Sequence, residues 1–216
     1  MKKLVIFDLD GTLLNTIADL AHSTNYALNK LGYPTHEIEK YNFMVGNGID
    51  KLFERALPEE EKSKENVLRV RKEFVPYYDI HNADDSRPYP GIPELLSYLQ
   101  DAGVQIAVAS NKYQAATQQL VDHYFPEIHF TAVFGQREGV KVKPDPIIVS
   151  DILEVAKVAK EEVLYVGDSG VDMQTAANAG VTACGVTWGF RPRTELEEFN
   201  PSYIADTAGE IKKLIL

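Results

Sequence analysis

Cysteine is almost absent: the 216-residue chain has one, Cys184, so no disulfide can form within it. A lone thiol fits a reducing compartment and reads as a small buried apolar residue. Basic residues are also scarce, 22 against 32 acidic ones, and the formal charge of −10 argues against a nucleic-acid or anionic-membrane surface. A polyanionic substrate would approach such a chain poorly without a metal. Long apolar runs are missing as well. No stretch reaches the roughly 18 residues needed to cross a bilayer, and no signal-peptide core precedes the first acidic pair. A cytoplasmic protein with no nucleic-acid or membrane partner is expected. The five histidines, His22, His36, His81, His123 and His129, show no paired ligand spacing and have no second cysteine to join, which disfavours zinc. Internal repeats and low-complexity segments are lacking too. What remains, 44% hydrophobic and 25% charged residues, is the composition of an ordinary globular chain, long enough for one large domain or a core with a small insert.

From about Gly91 onward, short β-branched runs alternate with helical patterns, the mark of a mostly parallel sheet wrapped by helices. Strands are predicted near 3–7, 104–109, 131–134, 163–167, 181–186 and 203–205. Helices are predicted near 92–102, 114–123, 146–159 and 171–179, with a short one after 193 and a last one near 208–215; these lengths suit βαβ crossovers. The stretch from 16 to 86 has helical periodicity and no strand pattern. Leu20, Ala21, Ala27, Leu28 and Leu31 fit a 3.6 period that Gly32-Tyr33-Pro34 ends. A second helix starts after Gly48 and runs to about Leu57, and a third covers about Glu59 to Tyr78. The charged run from Pro58 to Asn66 reads as a solvated helix face. The predicted fold is α/β, with a Rossmann-like, mostly parallel sheet core made of residues 1–15 and 87–216. An α-helical cap, 16–86, is inserted and rejoins the core through the stiff turn Arg87-Pro88-Tyr89-Pro90-Gly91.

Four segments carry chemistry. Leu4-Val5-Ile6-Phe7 delivers Asp8-Leu9-Asp10-Gly11-Thr12 to the carboxyl end of a buried strand, where open α/β sheets bind ligands. Asp8 and Asp10, two apart in an extended segment, face one small volume and need a cation or a shared proton between them; taken alone, the pair reads equally as an acidic strand-end turn closed by Gly11. The run Val104 to Ala109 ends in Ser110-Asn111-Lys112, a hydroxyl and N–H groups at a strand-to-helix turn, which reads as a phosphate cradle or as helix capping. In Lys141-Val142-Lys143-Pro144-Asp145-Pro146 the prolines stiffen a loop entering a helix, so Lys143 reads as a fixed point charge or, taken alone, as a surface lysine, while Lys141 reads as a surface residue. Leu164 to Gly167 ends in Asp168-Ser169-Gly170-Val171-Asp172, with Asp172 one helical turn after Asp168. Mg²⁺ prefers an octahedron of hard oxygens, and Asp8, Asp168 and a backbone carbonyl near Asp10 can supply such a set. Separately, Gly46-Asn47-Gly48 precedes a helix and forms either a simple turn or a loop offering N–H groups to an anion.

Asp8 to Thr12, Ser110, Lys143-Pro144 and Gly167-Asp168-Ser169 through Asp172 resemble the four ordered motifs of the haloacid dehalogenase-like hydrolase superfamily, over essentially the whole chain. The resemblance implies a Mg²⁺-dependent phosphatase in which Asp8 takes the phosphoryl group as an aspartyl-phosphate. Asp10 then protonates the leaving oxygen and activates the hydrolytic water, Ser110 and the Asn111 amide hold phosphoryl oxygens, and Lys143 neutralises charge. Asp168 binds Mg²⁺ with Asp172 in support. The second acid, Asp10, favours phosphoryl transfer over dehalogenation, because a departing halide needs no proton donor. Val45-Gly46-Asn47-Gly48, Arg55-Ala56-Leu57, Arg87 to Gly91, Asn111-Lys112 and Trp188-Gly189-Phe190-Arg191-Pro192-Arg193 look like the phosphoglycolate phosphatase branch. Related pyrophosphatases and sugar phosphatases share several of these. One departure stands out: Asn15 replaces the aspartate of many relatives. A phosphomutase is resembled less, because Leu20 stands where those enzymes carry a cap histidine. The resemblance thus implies a small phosphorylated metabolite as substrate, 2-phosphoglycolate first. Gly46, Asn47 and Gly48, helped by Lys112 or Arg191, would hold its carboxylate, in a monomer or homodimer.

Overall fold

The apolar run Leu4–Phe7 forms strand β1, buried along its whole length, as a central strand covered on both faces must be. The computed structural model describes residues 1–215. After β1 come the two-residue strand β2 (Leu14–Asn15) and the helices α1 (Ile17–Lys30), α2 (Ile49–Ala56) and α3 (Lys64–His81). The chain then returns through β3 (Arg87–Pro88) and α4 (Ile92–Asp101) to β4 (Gln105–Tyr113), α5 (Gln114–Tyr124), β5 (Ala132–Gln136) and α6 (Ile147–Ala156). It ends with β6 (Val163–Gly167), α7 (Gly170–Ala179), β7 (Thr182–Val186), α8 (Arg193–Glu197), β8 (Tyr203–Ala205) and α9 (Ala208–Ile211).

Six of these strands form one parallel sheet in the order β5-β4-β1-β6-β7-β8. The chain fills one side of β1 with β4 and β5, then crosses to the other side for β6, β7 and β8. The order therefore reverses at β1, the place where such sheets bind ligands beyond their carboxyl ends. Phe7 lies opposite Val108 on one neighbour and Val166 on the other, so the residues that follow all three strands emerge side by side. Alternation along each strand sends successive side chains to opposite faces. Val5, Phe7, Val108 and Val166 pack with Leu95, Leu99 and Leu120 of α4 and α5. Leu4, Ile6 and Tyr165 pack with Val149, Ile152 and Met173 of α6 and α7. Cys184 is buried in the first of these layers, as expected, and burial pushes its thiol up to about 12.

Helices α1 to α3 share a third apolar cluster, which includes Leu20, Leu28, Leu52, Phe53, Phe74 and Tyr78. The two chain crossings between these helices and the sheet run side by side, because β2 and β3 pair antiparallel, Leu14 with Pro88 and Asn15 with Arg87. Asp19, buried in the first turn of α1, locks the crossing. Its carboxylate accepts from the N–H groups of Asp85 and Ser86 at 2.9 and 2.8 Å and from Ser86 Oγ at 2.7 Å. Asn15 Oδ1 accepts from the Ile17 N–H at 3.4 Å, a bond that requires no charge at this position.

Several boundaries differ from the sequence expectation, each for a local reason. Strand β4 continues to Tyr113, with its pairing to β5 interrupted between Ala109 and Tyr113, so Ser110-Asn111-Lys112 belong to an irregular strand end and not to a strand-to-helix turn. The third helix expected between 16 and 86 is not continuous from Glu59. Glu59–Glu61 form a 3-10 turn, and the helix restarts at Lys64, where Ser63 Oγ accepts from the Asn66 N–H at 3.1 Å. Helix α6 stops at Ala156, before 159, because Lys157 adopts a left-handed φ of 56°. Arg87–Pro88 is a strand of the crossing, and the turn proper is confined to the residues after it.

Candidate active site

Asp8 continues the ladder of β1, donating its N–H to the Val166 carbonyl at 2.9 Å. Its carboxylate is thereby carried to the end of the central strand. Asp8 Oδ1 accepts from the Leu9 N–H at 2.7 Å and lies 3.0 Å from Lys143 Nζ. Asp168, one residue beyond β6, is held by two donors: Thr12 Oγ1 to Oδ1 at 3.1 Å and the Phe190 N–H to Oδ2 at 2.8 Å. Asp172 closes a capping box at the start of α7, its Oδ2 accepting from the Ser169 N–H and Oγ at 3.2 and 2.6 Å. The other oxygen, Oδ1, accepts from Lys143 Nζ at 2.7 Å and Tyr165 Oη at 3.3 Å. Lys143 therefore bridges Asp8 and Asp172. One oxygen each of Asp8, Asp168 and Asp172 lies within 4.8 Å of the others. The close approach explains Gly11, which sits at φ +85°: a Cβ there would overlap the Asp168 carboxyl group.

Three buried carboxylates face one ammonium. Burial, followed by the nearby Asp172, pushes the Asp8 carboxyl well above the usual carboxylate range against the pull of Lys143. Burial and then Asp172 push Asp168 up to about 7, opposed by the bonds from Phe190 and Thr12. For Lys143 burial opposes the charge, but Asp172 and Asp8 outweigh it and the net direction is upward. The excess of negative charge on hard oxygens is the environment that suits Mg²⁺, which binds through a few carboxylates and completes its octahedron with water and phosphate. The donor set fits that ion on its own chemistry.

Asp10 lies outside the three-carboxylate group. Its Oδ1 accepts from Thr16 Oγ1 at 2.6 Å, and its Oδ2 is 3.2 Å from Lys112 Nζ, which in turn donates to Tyr78 Oη at 2.7 Å. Ser110 Oγ accepts from the Lys112 N–H at 3.2 Å. The Asn111 side chain is fully engaged: Nδ2 donates to the Gly46 and Lys143 carbonyls at 2.9 and 3.1 Å, and Oδ1 accepts from the Lys143 N–H at 2.8 Å. Both of its side-chain N–H donors are therefore taken. The Lys143–Pro144 peptide is cis.

Asp8, Asp10, Ser110 and Asp168 form the floor of a cleft. Leu20, Val45, Ile49, Leu52 and Phe190 give it an apolar roof, and Gly46, Gly48 and Arg191 lie along its wall. The Gly46-Asn47-Gly48 loop leads into α2. Asn47 Oδ1 accepts from Arg55 at 2.7 Å, and Arg55 also donates to the Met44 carbonyl at 2.8 Å. Arg191 donates to the Val45 carbonyl at 3.0 Å and lies over the Phe43 ring. Both helpers expected at this loop line the cleft; Arg191 borders the loop, and the Lys112 ammonium is engaged by Asp10 and Tyr78. The sequence reading did not single out Thr16, Tyr165 or Tyr78. Thr16, a short hydroxyl six residues after Asp10, left a readable signal; the tyrosines sit on apolar stretches and read as core.

The chain matches the haloacid dehalogenase-like hydrolase family over residues 5–186 and belongs to it. Its full-length relatives narrow the comparison. It is 32% identical to the phosphoglycolate phosphatase of Vibrio parahaemolyticus over 99% of this chain and 96% of that protein. It is also 32% identical to the phosphoglycolate phosphatase of Mesorhizobium japonicum, over 94% and 90%. A crystal structure from Lactobacillus delbrueckii subsp. bulgaricus, provisionally described as a phosphoglycolate phosphatase, superposes with a TM-score of 0.93 at 34% identity and covers 100% of this chain and 99% of its own. Among the described residues no helix is long and apolar enough to cross a membrane.

Proposed function

We propose that this protein is a Mg²⁺-dependent phosphatase that hydrolyses a small phosphate monoester through an aspartyl-phosphate on Asp8, with 2-phosphoglycolate as preferred substrate. The observation that carries the proposal is the meeting of Asp8, Asp168, Asp172 and Lys143 at the ends of neighbouring strands, on the floor of a cleft. Asp8 attacks phosphorus and the ester oxygen departs, taking a proton from Asp10. Water then attacks the phosphorus, gives a proton back to Asp10, and releases phosphate and the free Asp8 carboxylate. Splitting the displacement in this way makes each half easier, and most of the acceleration comes from positioning and charge neutralisation. Lys143 neutralises charge on the phosphoryl group, while Ser110 Oγ and the Asn111 amide donate to its oxygens. Asp8, Asp168 and the Asp10 carbonyl would hold Mg²⁺, with Asp172 in support. When bound, the ion withdraws charge from the phosphoryl oxygens.

Residues 16–86 act in this reading as a cap over the core of 1–15 and 87–216, the apolar roof excluding water when the cap closes. The Gly46-Asn47-Gly48 loop at the start of α2, beside Arg191, receives the carboxylate of the substrate. Relatives named phosphoglycolate phosphatase, matched over nearly their whole length, support 2-phosphoglycolate. Phosphate release from a panel of esters at neutral pH, with Mg²⁺ and then with chelator, tests the proposal beside Asp8→Asn. Release that requires metal, fails in the variant and favours 2-phosphoglycolate is expected. Equal release across the panel, or a preference for pyrophosphate or sugar phosphates, removes the substrate assignment, and no release from any ester removes the phosphatase reading.

A further inference from the structure

We infer that Lys112 is a positioning residue for Asp10 and that Tyr78, on α3, holds Lys112 in that role. The inference rests on the reading of Asp10 as the group that transfers the proton. The Lys112 side chain is 1% exposed, and an ammonium so deeply buried is tolerable only when its partners surround it. Here the partners are Asp10 Oδ2 at 3.2 Å, Tyr78 Oη at 2.7 Å and the face of the Tyr78 ring, 4.6 Å from Nζ to centroid. Tyr78 is itself fully buried and stacks on Phe74 at 5.0 Å, so its hydroxyl is a fixed acceptor. Asp10 is thus gripped at both oxygens, by Thr16 at Oδ1 and by Lys112 at Oδ2. Two anchors on opposite oxygens fix the rotation of the carboxylate plane, which one anchor would leave free.

This fixes how the proton donor presents itself to the leaving oxygen, since proton transfer needs a hydrogen-bond approach and small misplacements are costly. It also assigns Lys112 a task other than binding substrate. Because Tyr78 belongs to α3 and Asp10 to the loop after β1, the grip spans the helical segment and the sheet.

The test compares kcat/KM for three esters in wild type and in Lys112→Met, which keeps the unbranched apolar stem and removes the ammonium. The esters are 2-phosphoglycolate, ethyl phosphate and 4-nitrophenyl phosphate. Only the last has a leaving group that departs with little protonic help. The inference expects both alkyl esters to lose about tenfold or more relative to the aryl ester, as weakened acid catalysis does. Tyr78→Phe should shift the same ratio in the same direction by about threefold, since it removes only one anchor of the grip. A loss confined to 2-phosphoglycolate would mean that Lys112 binds the substrate carboxylate, and an equal loss on all three esters would mean a merely structural role; either overturns the inference. If Lys112→Met does not fold, an unchanged ratio in Tyr78→Phe overturns it. Inactivity of the wild type on every ester would instead sink the phosphatase reading.

Discussion

Lys143 carries more of this site than any other single side chain. It is the ammonium set against three buried carboxylates, 3.0 Å from Asp8 and 2.7 Å from Asp172. A buried charge whose partner is removed is costly because water cannot replace the lost partner. Lys143→Met is therefore expected to lower stability by about 3 kcal/mol in the presence of chelator and to abolish phosphate release. Urea unfolding checks the first part, and an unchanged midpoint would show that the carboxylates shed their charge without help from the lysine. Motif spacing identified Lys143 because two prolines bracket Asp145 beside it. The same spacing could not show that its backbone N–H is held by Asn111 Oδ1, a bond made across 32 residues and set only when the strands assemble.

At the scale of elements, the decisive pieces are short connections that break the regular pattern. Gly48 adopts φ +85°, and a Cβ there would come within 3.2 Å of Gln136 Oε1 and 3.7 Å of the Asn111 carbonyl. The added Cβ meets Gln136 and Asn111 and none of Asp8, Asp10 and Asp168, so Gly48→Val should deform the loop while leaving those acids in place. It is expected to raise KM for 2-phosphoglycolate more than for 4-nitrophenyl phosphate; equal changes in steady-state kinetics would remove the loop from carboxylate recognition. The periodic helices and apolar strands were readable because their patterns repeat over many residues. The break at Lys62 and Ser63, the irregular end of β4 and the pairing of Leu14 with Pro88 were not, since each depends on one cap, one shifted register or one distant partner.

For the whole molecule, placing the carboxylates together makes its stability depend on pH and on cation. Asp168 titrates near 3.8 when unfolded and at about 7 in the folded protein, and Asp8 is raised in the same direction. The folded state thus keeps protons that the unfolded chain releases as pH rises from 3.8 to about 7, so stability falls across that window. With chelator present, the melting temperature is expected to be higher at about pH 5.5 than at about pH 7.5. Mg²⁺ should raise it more at the higher pH, where the carboxylates are free to bind it. Scanning calorimetry at both values, with and without Mg²⁺, checks this, and a Mg²⁺ effect independent of pH would separate the three acids from metal binding.

By itself the sequence determined the alternation of strands and helices, the helical insertion after β1, and the arrival of Asp8 and Asp168 at strand ends. Those features follow from local periodicity and from motifs a few residues long. Only the tertiary structure decided that β4, β1 and β6 are neighbours, that Lys143 lies between Asp8 and Asp172, and that Asp10 turns toward Lys112 and Tyr78. Lys112 shows the difference most sharply. In the sequence it is one cation beside a polar pair, free to meet a substrate, and in the fold its ammonium is engaged by partners from two distant segments, Asp10 after β1 and Tyr78 of α3. The physical reason is that a buried charge takes its direction from whatever surrounds it, and what surrounds Lys112 is brought there only when α3 packs over the end of β4.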